Sequence, residues 1–403
     1  MLSVGVLGLA LAACSTPLRS TAPPTPALGS PSRTPAASGQ PAPPGTGELG
    51  AVSCAGPDHC WAVGVAPPLS DSSTLTTPPV ATVITMTANS GIAWVAQHLG
   101  LAVTPDLTGI SCPRAGVCMA VGSTGANPPI GTVLATHNGG MVWQLAAAPT
   151  GALAVTSVQC SSSAHCIALV SDGTITWSAS TVNFGRTWQR LGDLTIGLQG
   201  ARGLWCGADG TCLVAGDTPT TAGHAQGAID VSGDGGVSWT AAAVVPGTGL
   251  LQAVTCASAI RCLAVGTSST TANAVMPSSG VLLISGDAGH TWFPTRHPPP
   301  VDDIFGIACP TPDVCAIAGT RWIGGTTVGT GGLALSHDAG ATFASMSTAY
   351  TPLTLTALAC PTELTCVAVG GDTVVRADLT VLPPRSPGRS RETRPPPRPA
   401  PIR

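Results

Sequence analysis

The sequence contains no lysine, a single tyrosine and few charged residues of any kind. All sixteen basic residues are arginines, and charged residues make up only 9% of the 403-residue chain. The absence of lysine points to a GC-rich genome, which suggests an actinobacterial source. Helical periodicity is hard to find, which argues against an α-helical fold. The part of the chain before the C-terminal tail is mildly acidic, and this disfavours a nucleic-acid-binding role.

Glycine and proline are abundant instead, with 50 and 38 residues. This balance suits many short strands joined by turns. Residues 14–48 are mainly Pro, Ala, Thr, Ser and Gly, cannot bury enough apolar surface to fold, and are predicted to be a tether. Residues 383–403 are predicted to be a disordered tail rich in Arg and Pro. Since the net charge is −3 and the tail contributes +5, the remainder carries −8.

The N-terminus resembles the signal of a bacterial lipoprotein. Leu2–Ala10 is an apolar stretch too short to span a bilayer, and it is followed by Leu-Ala-Ala-Cys, which ends at Cys14. This string is similar to the lipobox, which implies removal of residues 1–13 and a diacylglycerol on Cys14. The resemblance implies a membrane partner through the lipid anchor. An ordinary cleaved signal peptide is the alternative, and the lack of Lys or Arg in the n-region leaves open a start upstream of Met1.

Fourteen of the fifteen cysteines form seven pairs with C-x5-C spacing. The pairs recur every 46 to 58 residues, which predicts one closed array of repeats from about residue 49 to residue 382. The pairs are Cys54 with Cys60, Cys112 with Cys118, Cys160 with Cys166, Cys206 with Cys212, Cys256 with Cys262, Cys309 with Cys315, and Cys360 with Cys366.

Each pair lies between two short β-prone runs, such as Leu251–Cys256 and the run from Cys262 to Gly266. Two such runs separated by five turn-friendly residues predict a β-hairpin. A disulfide within each hairpin is the economical pairing scheme and indicates an oxidising compartment. Metal binding is the alternative, but the spacing is wrong for a zinc ribbon and no histidines recur beside the pairs. We therefore expect no metal and no cofactor.

A second motif follows the third predicted strand of six repeats. It reads Ser-x-Asp-x-Gly-x-Thr/Ser-Trp or a close variant and resembles the Asp-box of sialidase-like and other bacterial propellers. The Asp or Asn is expected to accept backbone hydrogen bonds across a turn, the Gly to take a positive φ, and the Trp to pack between blades. The Asp copies begin at Ser232, Ser285 and Ser336, and the weaker Asn copies begin at Thr87, Thr136 and Thr181.

These repeats predict an all-β fold, a seven-bladed β-propeller of four-stranded antiparallel blades. The seventh repeat offers Thr373 to Arg376 and Leu379 to Leu382 but no Asp-box. Either the last blade is short, or a strand from near Gly50 closes the ring. The Asp-boxes are structural in the related propellers, so a catalytic or metal role for their aspartates is not expected.

Alternation of strand direction predicts that the disulfide hairpins and the Asp-boxes share one face of the ring. The opposite face would carry the variable loops, notably residues 65–80, 216–227, 267–279 and 320–332, where ligands bind most readily. The candidate ligand-binding side chains on these loops would suit a sugar or a peptide. They are Arg296, His297, Asp302, Asp303, Arg321 and Trp322. Surface charge with a half-buried Trp is the alternative interpretation.

Two functions from different classes remain open. The first is a monomeric, lipid-anchored scaffold that binds an envelope protein or glycan without catalysis, similar in build to the photosystem assembly-factor propellers. The second is a sialidase-like glycoside hydrolase. That family needs an arginine triad and a tyrosine nucleophile, whereas this chain has only Tyr350 and no Arg-Ile-Pro segment. Its three glutamates, Glu48, Glu363 and Glu392, are not expected on the loop face of a central blade.

Overall fold

Short runs of apolar and β-branched residues form strands throughout the repeat region. A computed structural model describes residues 36–43, 46–65, 84–97, 99, 101, 105–195, 200–219, 225–242, 248–268, 278–324, 328–348 and 354–379. These parts of the chain contain strands and turns, and no helix in them could cross a membrane. Cys14, the predicted tether before Ala36, Tyr350 and the predicted tail lie outside the described residues.

The strands up to the middle of the chain are β1 (Ala36–Pro41), β2 (Glu48–Cys54), β3 (Cys60–Val65), β4 (Ile84–Thr87), β5 (Val95–Gln97), β6 (Pro105–Arg114), β7 (Val117–Thr124), β8 (Gly131–Thr136), β9 (Gln144–Ala146), β10 (Ala154–Cys160), β11 (Cys166–Ser171), β12 (Thr176–Thr181), β13 (Gln189–Asp193), β14 (Gly203–Cys206) and β15 (Cys212–Pro219). The remaining strands are β16 (Ala225–Ser232), β17 (Thr240–Ala241), β18 (Leu251–Cys256), β19 (Cys262–Thr267), β20 (Gly280–Ser285), β21 (Phe293–Pro294), β22 (Asp303–Ala308), β23 (Cys315–Trp322), β24 (Gly329–Ser336), β25 (Ala344–Ser345), β26 (Ser347–Thr348), β27 (Ala357–Thr362), β28 (Thr365–Gly370) and β29 (Thr373–Asp378).

The strands form seven antiparallel sheets, one for each cysteine pair. Blades 1 to 6 are β2–β5, β6–β9, β10–β13, β14–β17, β18–β21 and β22–β25, each with its strands in sequence order. The first strands of successive blades contact one another around the ring, from β2 through β6, β10, β14, β18 and β22 to β27 and back to β2. The predicted seven-bladed propeller is therefore confirmed.

The seventh blade is closed by the N-terminal strand. Its order is β27-β28-β29-β1, and β1 pairs with β29 antiparallel from Ala36 opposite Asp378 to Pro41 opposite Thr373. The short β26 adds a fifth, parallel strand. Closure therefore comes from Ala36–Pro41, not from near Gly50. Part of the segment predicted to be a tether, Ala36–Pro41, is therefore a strand of blade 7. Its composition does not favour a strand, but the open edge of β29 supplies backbone hydrogen-bond partners.

Seven hydrophobic cores fill the seven contacts between neighbouring blades. In the core between blades 5 and 6, for example, Leu263 and Ile304 are fully buried together. The aromatic residue after each turn joins these cores: Trp143, Trp239 and Trp292 are buried, and Trp94, Trp188 and Phe343 pack against them partly buried. This confirms the expected packing of the motif aromatics between blades, where burial of apolar surface holds the ring together.

The glycine four residues after the second cysteine of most pairs is required by close packing. At Gly266 an added Cβ would lie 1.9 Å from the carbonyl oxygen of Leu250, and Gly64 and Gly319 face equivalent carbonyls at 1.8 Å. The neighbouring first strand carries a register shift at this level, between Leu251 and Ala253 in blade 5. The bulge brings backbone onto backbone, so a side chain has no room.

We expect Gly266→Ala to lower the free energy of unfolding by about 2 kcal/mol, because the new methyl group meets a backbone oxygen that cannot move freely. Gly286→Ala is the matched control, since a Cβ there meets nothing within 4 Å. Urea unfolding followed by tryptophan fluorescence measures both. Equal stability of the two variants would contradict the close contact.

Candidate functional site

The strand register divides the ring into two faces. In blades 1 to 6 the second cysteine of each pair lies opposite the Ser or Thr that opens the third-to-fourth-strand turn, as with Cys60 and Thr87 or Cys262 and Ser285. The disulfide hairpins and these turns therefore lie together, as predicted, on what we call the hairpin face. The other connections define the loop face.

All seven cysteine pairs form disulfides within their own hairpins. The Cα atoms of each pair are 3.9 to 4.1 Å apart. In blade 5, Cys256 and Cys262 are direct cross-strand partners. The bonds tie together the first hairpin in every blade, and their number is typical of proteins from an oxidising compartment.

The sequence predicts that all five residues between the cysteines form a turn. Two of the hairpins, in blades 2 and 7, differ from this form. In blade 2 the disulfide joins Cys112 to Cys118, but the strands continue past both cysteines until Arg114 pairs with Val117. The register shifts across this stretch, so the two cysteines are not direct ladder partners. Gly116, with a φ of +83°, allows the chain to reverse within the short connection that remains.

The hairpin of blade 7 shows the same departure. Its disulfide joins Cys360 to Cys366, while the strands extend until Thr362 pairs with Thr365 and the register shifts after Ala359. The bond therefore lies beside a bulge rather than at the last pair of a regular ladder. In blades 2 and 7 the disulfide bridges an irregular part of the hairpin, where the backbone hydrogen bonds alone specify the register less strongly.

The six turns on the hairpin face share one hydrogen-bond scheme. In blade 5 the Ser285 hydroxyl donates to Asp287 Oδ1 at 2.8 Å and accepts from the Gly289 N–H at 2.9 Å. Asp287 Oδ1 also accepts from the Thr291 N–H at 2.9 Å. In blade 1, Thr87 and Asn89 repeat the arrangement. The side chains are thus occupied in building the turn.

The turn carboxylates remain ionised at low pH because the turn donates hydrogen bonds to them. Hydrogen bonds from the hydroxyl and then the backbone N–H of Thr291 to the Asp287 carboxylate lower the pKa of Asp287 to about 2. The Ser238 hydroxyl does the same for Asp234, whose pKa is also about 2. At Asp338 burial raises the pKa, but hydrogen bonds led by Thr342 outweigh it and the net direction is downward.

A substitution at Asp287 separates the charge from the hydrogen bonds. The folded pKa lies below the usual value of about 3.9, so the stability that ionisation contributes is complete above pH 4 and is lost as the pH falls towards 2. We expect Asp287→Asn to leave the free energy of unfolding at neutral pH unchanged, because Asn89 makes the same turn hydrogen bonds in blade 1. The variant should lose less stability than wild type between pH 4 and pH 2. Asp287→Ala is expected to cost about 1 kcal/mol at pH 7. Denaturant titrations across this pH range test both, and identical acid profiles for wild type and Asp287→Asn would refute the assignment.

An axial channel runs between the seven first strands and opens on the loop face. The loop-face part of the channel has a cavity volume of about 500 Å³. The lining positions four residues before the first cysteine of each pair form what we call the vestibule. They are Gly50, Thr108, Thr156, Arg202, Gln252, Phe305 and Thr356. One guanidinium, one amide and one aromatic ring thus line one opening, while the Thr108 and Thr356 hydroxyls donate to backbone carbonyls of neighbouring strands.

The charge in the vestibule is held in place by one ion pair. The Arg202 guanidinium lies 3.3 Å from Asp217 Oδ1 on the second strand of blade 4. The Arg202 side chain is 44% exposed and the Asp217 side chain 16%, so the carboxylate orients the arginine while its outer edge stays open to a ligand. The Thr156 hydroxyl is buried without a hydrogen-bond partner and is a further free polar group of the vestibule.

An apolar collar separates the vestibule from the hairpin side of the channel. It consists of the residues two before each first cysteine, Val52, Ile110, Val158, Leu204, Val254, Ile307 and Leu358. Seven aliphatic residues at one repeat position were a visible signal for this layer in the sequence, which the analysis of pairs and turns did not use. The collar favours a ligand that enters from the loop face and stops at this depth.

On the hairpin side of the collar, polar side chains link neighbouring blades. Ser53 Oγ accepts from the Cys112 N–H at 3.0 Å, and Ser111 Oγ accepts from the Cys160 N–H at 2.9 Å. Gln159 makes two such bonds with Cys206, accepting at 2.7 Å and donating at 2.9 Å. These links bind blades 1 to 4 together around the axis, so this end of the channel is structural.

Four of the six predicted ligand residues lie at the loop-face end of blade 6, mainly in structural contacts. Asp302 Oδ2 accepts from the Trp322 N–H at 2.7 Å. Asp303 is buried and accepts from the Ser278 hydroxyl. Arg321 and Trp322 belong to strand β23 rather than to a loop, because the hairpin β23–β24 extends onto the loop face. Arg321 is exposed, and Trp322 is half-buried with no partner for its Nε1.

The other two predicted ligand residues, Arg296 and His297, follow β21 and are exposed. No contact joins them to the Asp302 group in the described residues. The carboxylates of Asp302 and Asp303 thus form hydrogen bonds within the fold. The side chains of Arg296, His297 and Arg321 are exposed on the loop face. Among the described residues no group of three His, Cys, Asp or Glu side chains could hold a metal ion.

No protein-family model matches this chain, and no curated protein sequence matches it. Solved structures do share the fold. YCF48 bound to D1 peptide has a TM-score of 0.58 at 16% identity, covering 86% of this chain and 97% of that one. The GH74 xyloglucanase from Xanthomonas campestris has a TM-score of 0.58 at 14% identity, covering 85% of this chain and 53% of that one. The WD40 β-propeller domain of Doa1 has a TM-score of 0.52 at 9% identity, covering 82% and 92%.

These similarities establish the seven-bladed propeller fold and no activity, since one propeller fold serves many functions. The neighbours include both a peptide-bound protein and a glycoside hydrolase.

Proposed function

We propose that this protein is a lipid-anchored, extracytoplasmic β-propeller that binds an envelope protein or glycan without catalysing a reaction. The observation that carries the proposal is the vestibule, where Arg202, Gln252 and Phe305 line one cavity above an apolar collar. Fixed donors beside an aromatic ring are suited to an extended peptide or a sugar chain.

Three acids at this face are engaged by the fold, which favours binding over hydrolysis. Asp217 is paired with Arg202, Asp302 accepts from a backbone N–H and Asp303 accepts from the Ser278 hydroxyl. A glycosidase needs two carboxyl groups free to face the scissile bond. The similarity of the chain to peptide-bound YCF48 over nearly all of that protein is in keeping with a binding role.

The proposed location is supported by two independent features. The seven disulfides suit an oxidising environment outside the cytosol. The Leu-Ala-Ala-Cys string provides a thiol, Cys14, that remains outside the seven pairs and would carry the lipid.

Hydrolysis is the second candidate, and one observation favours testing it. Glu48 and Asp106 occupy equivalent positions at the loop-face starts of β2 and β6, six residues before the first cysteine of their blades. This places Glu48 on the loop face of blade 1. Neither carboxylate has a hydrogen-bond partner among the described residues, so the pair is the available acid and base if the protein cleaves glycosidic bonds.

Probing immobilised peptide and glycan arrays with the purified full chain distinguishes the candidates. We expect binding that Arg202→Ala weakens at least about tenfold, since a charge-assisted hydrogen bond contributes about 1.5 kcal/mol or more. Arg114→Ala, on the hairpin face, is the matched control and should bind as wild type. Turnover of a fluorogenic sialoside or xyloglucan oligosaccharide, lost in both Glu48→Gln and Asp106→Asn, would replace the binding proposal with the enzyme.

A further inference from the structure

Both described ends of the propeller lie at one corner of the hairpin face. Strand β1 starts at Ala36 opposite Asp378, where β29 ends. In the other six blades the turn between the third and fourth strands occupies this place. The Leu379 N–H then donates to the Leu364 carbonyl of the blade 7 hairpin. Residues 1–35 and 380–403 therefore join the ring at its hairpin face, at the outer edge of blade 7. There Ala37 and Leu379 lie in the core shared with blade 6, and Gln40 Nε2 donates to the Gly91 carbonyl of blade 1 at 3.2 Å.

The turns that follow this corner are apolar and highly exposed. Ile92 in blade 1 is 62% exposed, Met141 in blade 2 is 82% exposed, and Val182 in blade 3 is 72% exposed. Val142 adds a second apolar side chain in blade 2. The turns of blades 2 and 3 are in contact, with the rings of His137 and Phe184 5.0 Å apart. The turns of blades 1 to 3 thus all carry exposed apolar side chains, and those of blades 2 and 3 are in direct contact.

Charge divides the hairpin face into two halves. Blades 1 to 3 have Asn at the turn position, two exposed arginines, Arg114 and Arg186, and one carboxylate, Asp58, which accepts from Ser90 Oγ. Blades 4 to 6 have one arginine, Arg261, against five carboxylates. These are Asp209, Asp234, Asp287, Asp313 and Asp338. The acidic half also carries exposed apolar side chains, Val237 and Ile260, so charge distinguishes the two halves, and the weakly basic half is the preferred side for contact with an anionic surface.

We propose that the turns of blades 1 to 3, with Ile92, Met141, Val142, Val182, Arg114 and Arg186, are a docking surface for an anionic lipid bilayer. The inference rests on the proposed lipid anchor for its setting, because the 21 residues from 15 to 35 lead from Cys14 to the adjacent corner. Exposed apolar side chains enter the headgroup region, and the arginines meet lipid phosphates. The vestibule then faces away from the membrane, open to a partner.

Vesicle sedimentation of the mature, unlipidated chain, which starts at residue 14, tests this surface. The protein lacks residues 1–13, carries Cys14→Ser and has all six tail arginines replaced by glutamine, so that no apolar leader, lipid or basic tail contributes to binding. On vesicles of equal parts phosphatidylcholine and phosphatidylglycerol, we expect Met141→Asp with Val182→Asp to lower the partition coefficient at least about tenfold. The control pair is Ile130→Asp with Ile175→Asp, exposed apolar residues of the loop face, and it should bind as the parent.

Arg114→Gln and Arg186→Gln are each expected to lower partitioning about fivefold on the anionic vesicles and to change nothing on phosphatidylcholine alone. A parent that does not bind vesicles, or hairpin-face and loop-face pairs that lose binding equally, would overturn the docking surface. The anchor is read separately by fatty-acid labelling of the wild-type chain in cells. If Cys14 is unlabelled but vesicle binding depends on the hairpin face, the lipid anchor is refuted and the docking surface is supported. If Cys14 is labelled but the hairpin-face variants bind vesicles as the parent does, the anchor is supported and the docking surface is refuted.

Discussion

Reduction of the seven disulfides is expected to unfold the propeller at room temperature without denaturant. Each bond closes a loop of about seven residues and contributes roughly 2 kcal/mol through the entropy of the unfolded chain. Even if only half of the combined effect survives, the loss of about 7 kcal/mol is as large as the whole stability of many domains. The backbone hydrogen bonds of short hairpins do not replace this stabilisation. The first strand of blade 4, Gly203–Cys206, for example, is only four residues long.

Tryptophan fluorescence in guanidinium chloride, with and without a reductant, measures this effect. The matched control is Cys256→Ala with Cys262→Ala, which removes one bond and is expected to cost about 2 kcal/mol. Free thiols are counted in the same samples to verify reduction. A fully reduced protein with an unchanged unfolding midpoint would show that the bonds do not support the ring.

Ring closure by the N-terminal strand is expected to be the second large contribution. Ala37 lies in β1 and is buried, with 4% exposure, in the core between blades 6 and 7. Ala37→Asp places an unpaired carboxylate there and is expected to lower the free energy of unfolding by about 3 kcal/mol. The loss arises because the edge strand must leave β29 to hydrate the charge, which opens the ring.

The neighbouring Ser38 supplies the control, since it lies in the same strand with its side chain exposed. Ser38→Asp is expected to change stability by less than about 0.5 kcal/mol. Urea unfolding of both variants makes the comparison, and removal of residues 1–41 should be at least as harmful as Ala37→Asp. If the truncated chain is as stable as the full one, β1 does not close the propeller.

The repeat structure was predictable because the cysteine pairs and turn motifs mark the same positions in successive blades. Cys262 and Ser285 are adjacent in the sheet because consecutive antiparallel strands bring the start of the second strand beside the end of the third. Strand β1 was not predictable from Ala36–Pro41, a small-residue segment with a terminal proline and no β-prone pattern. It becomes a strand because β29 presents an open edge, which is a tertiary effect that local sequence does not contain.

The sequence prediction and the structure favour different parts of the loop face as the candidate site. The sequence placed ligands on loops and selected Asp302 and Asp303, which the structure shows hydrogen-bonded to the neighbouring strand and to Ser278. The vestibule residues Arg202 and Gln252 lie in or beside the inner strands, where alternation alone does not say which side chains face the axis. The repeat position relative to the first cysteine identifies them once the first strands are known to surround the channel.

Mass mapping of the native protein isolated from cells, without reduction, tests the central claim most directly. A lipid-anchored propeller outside the cytosol predicts seven disulfides, each between cysteines six residues apart, and an N-terminal Cys14 that carries a diacylglycerol. Free thiols at most of these positions, or bonds that join different blades, would contradict it.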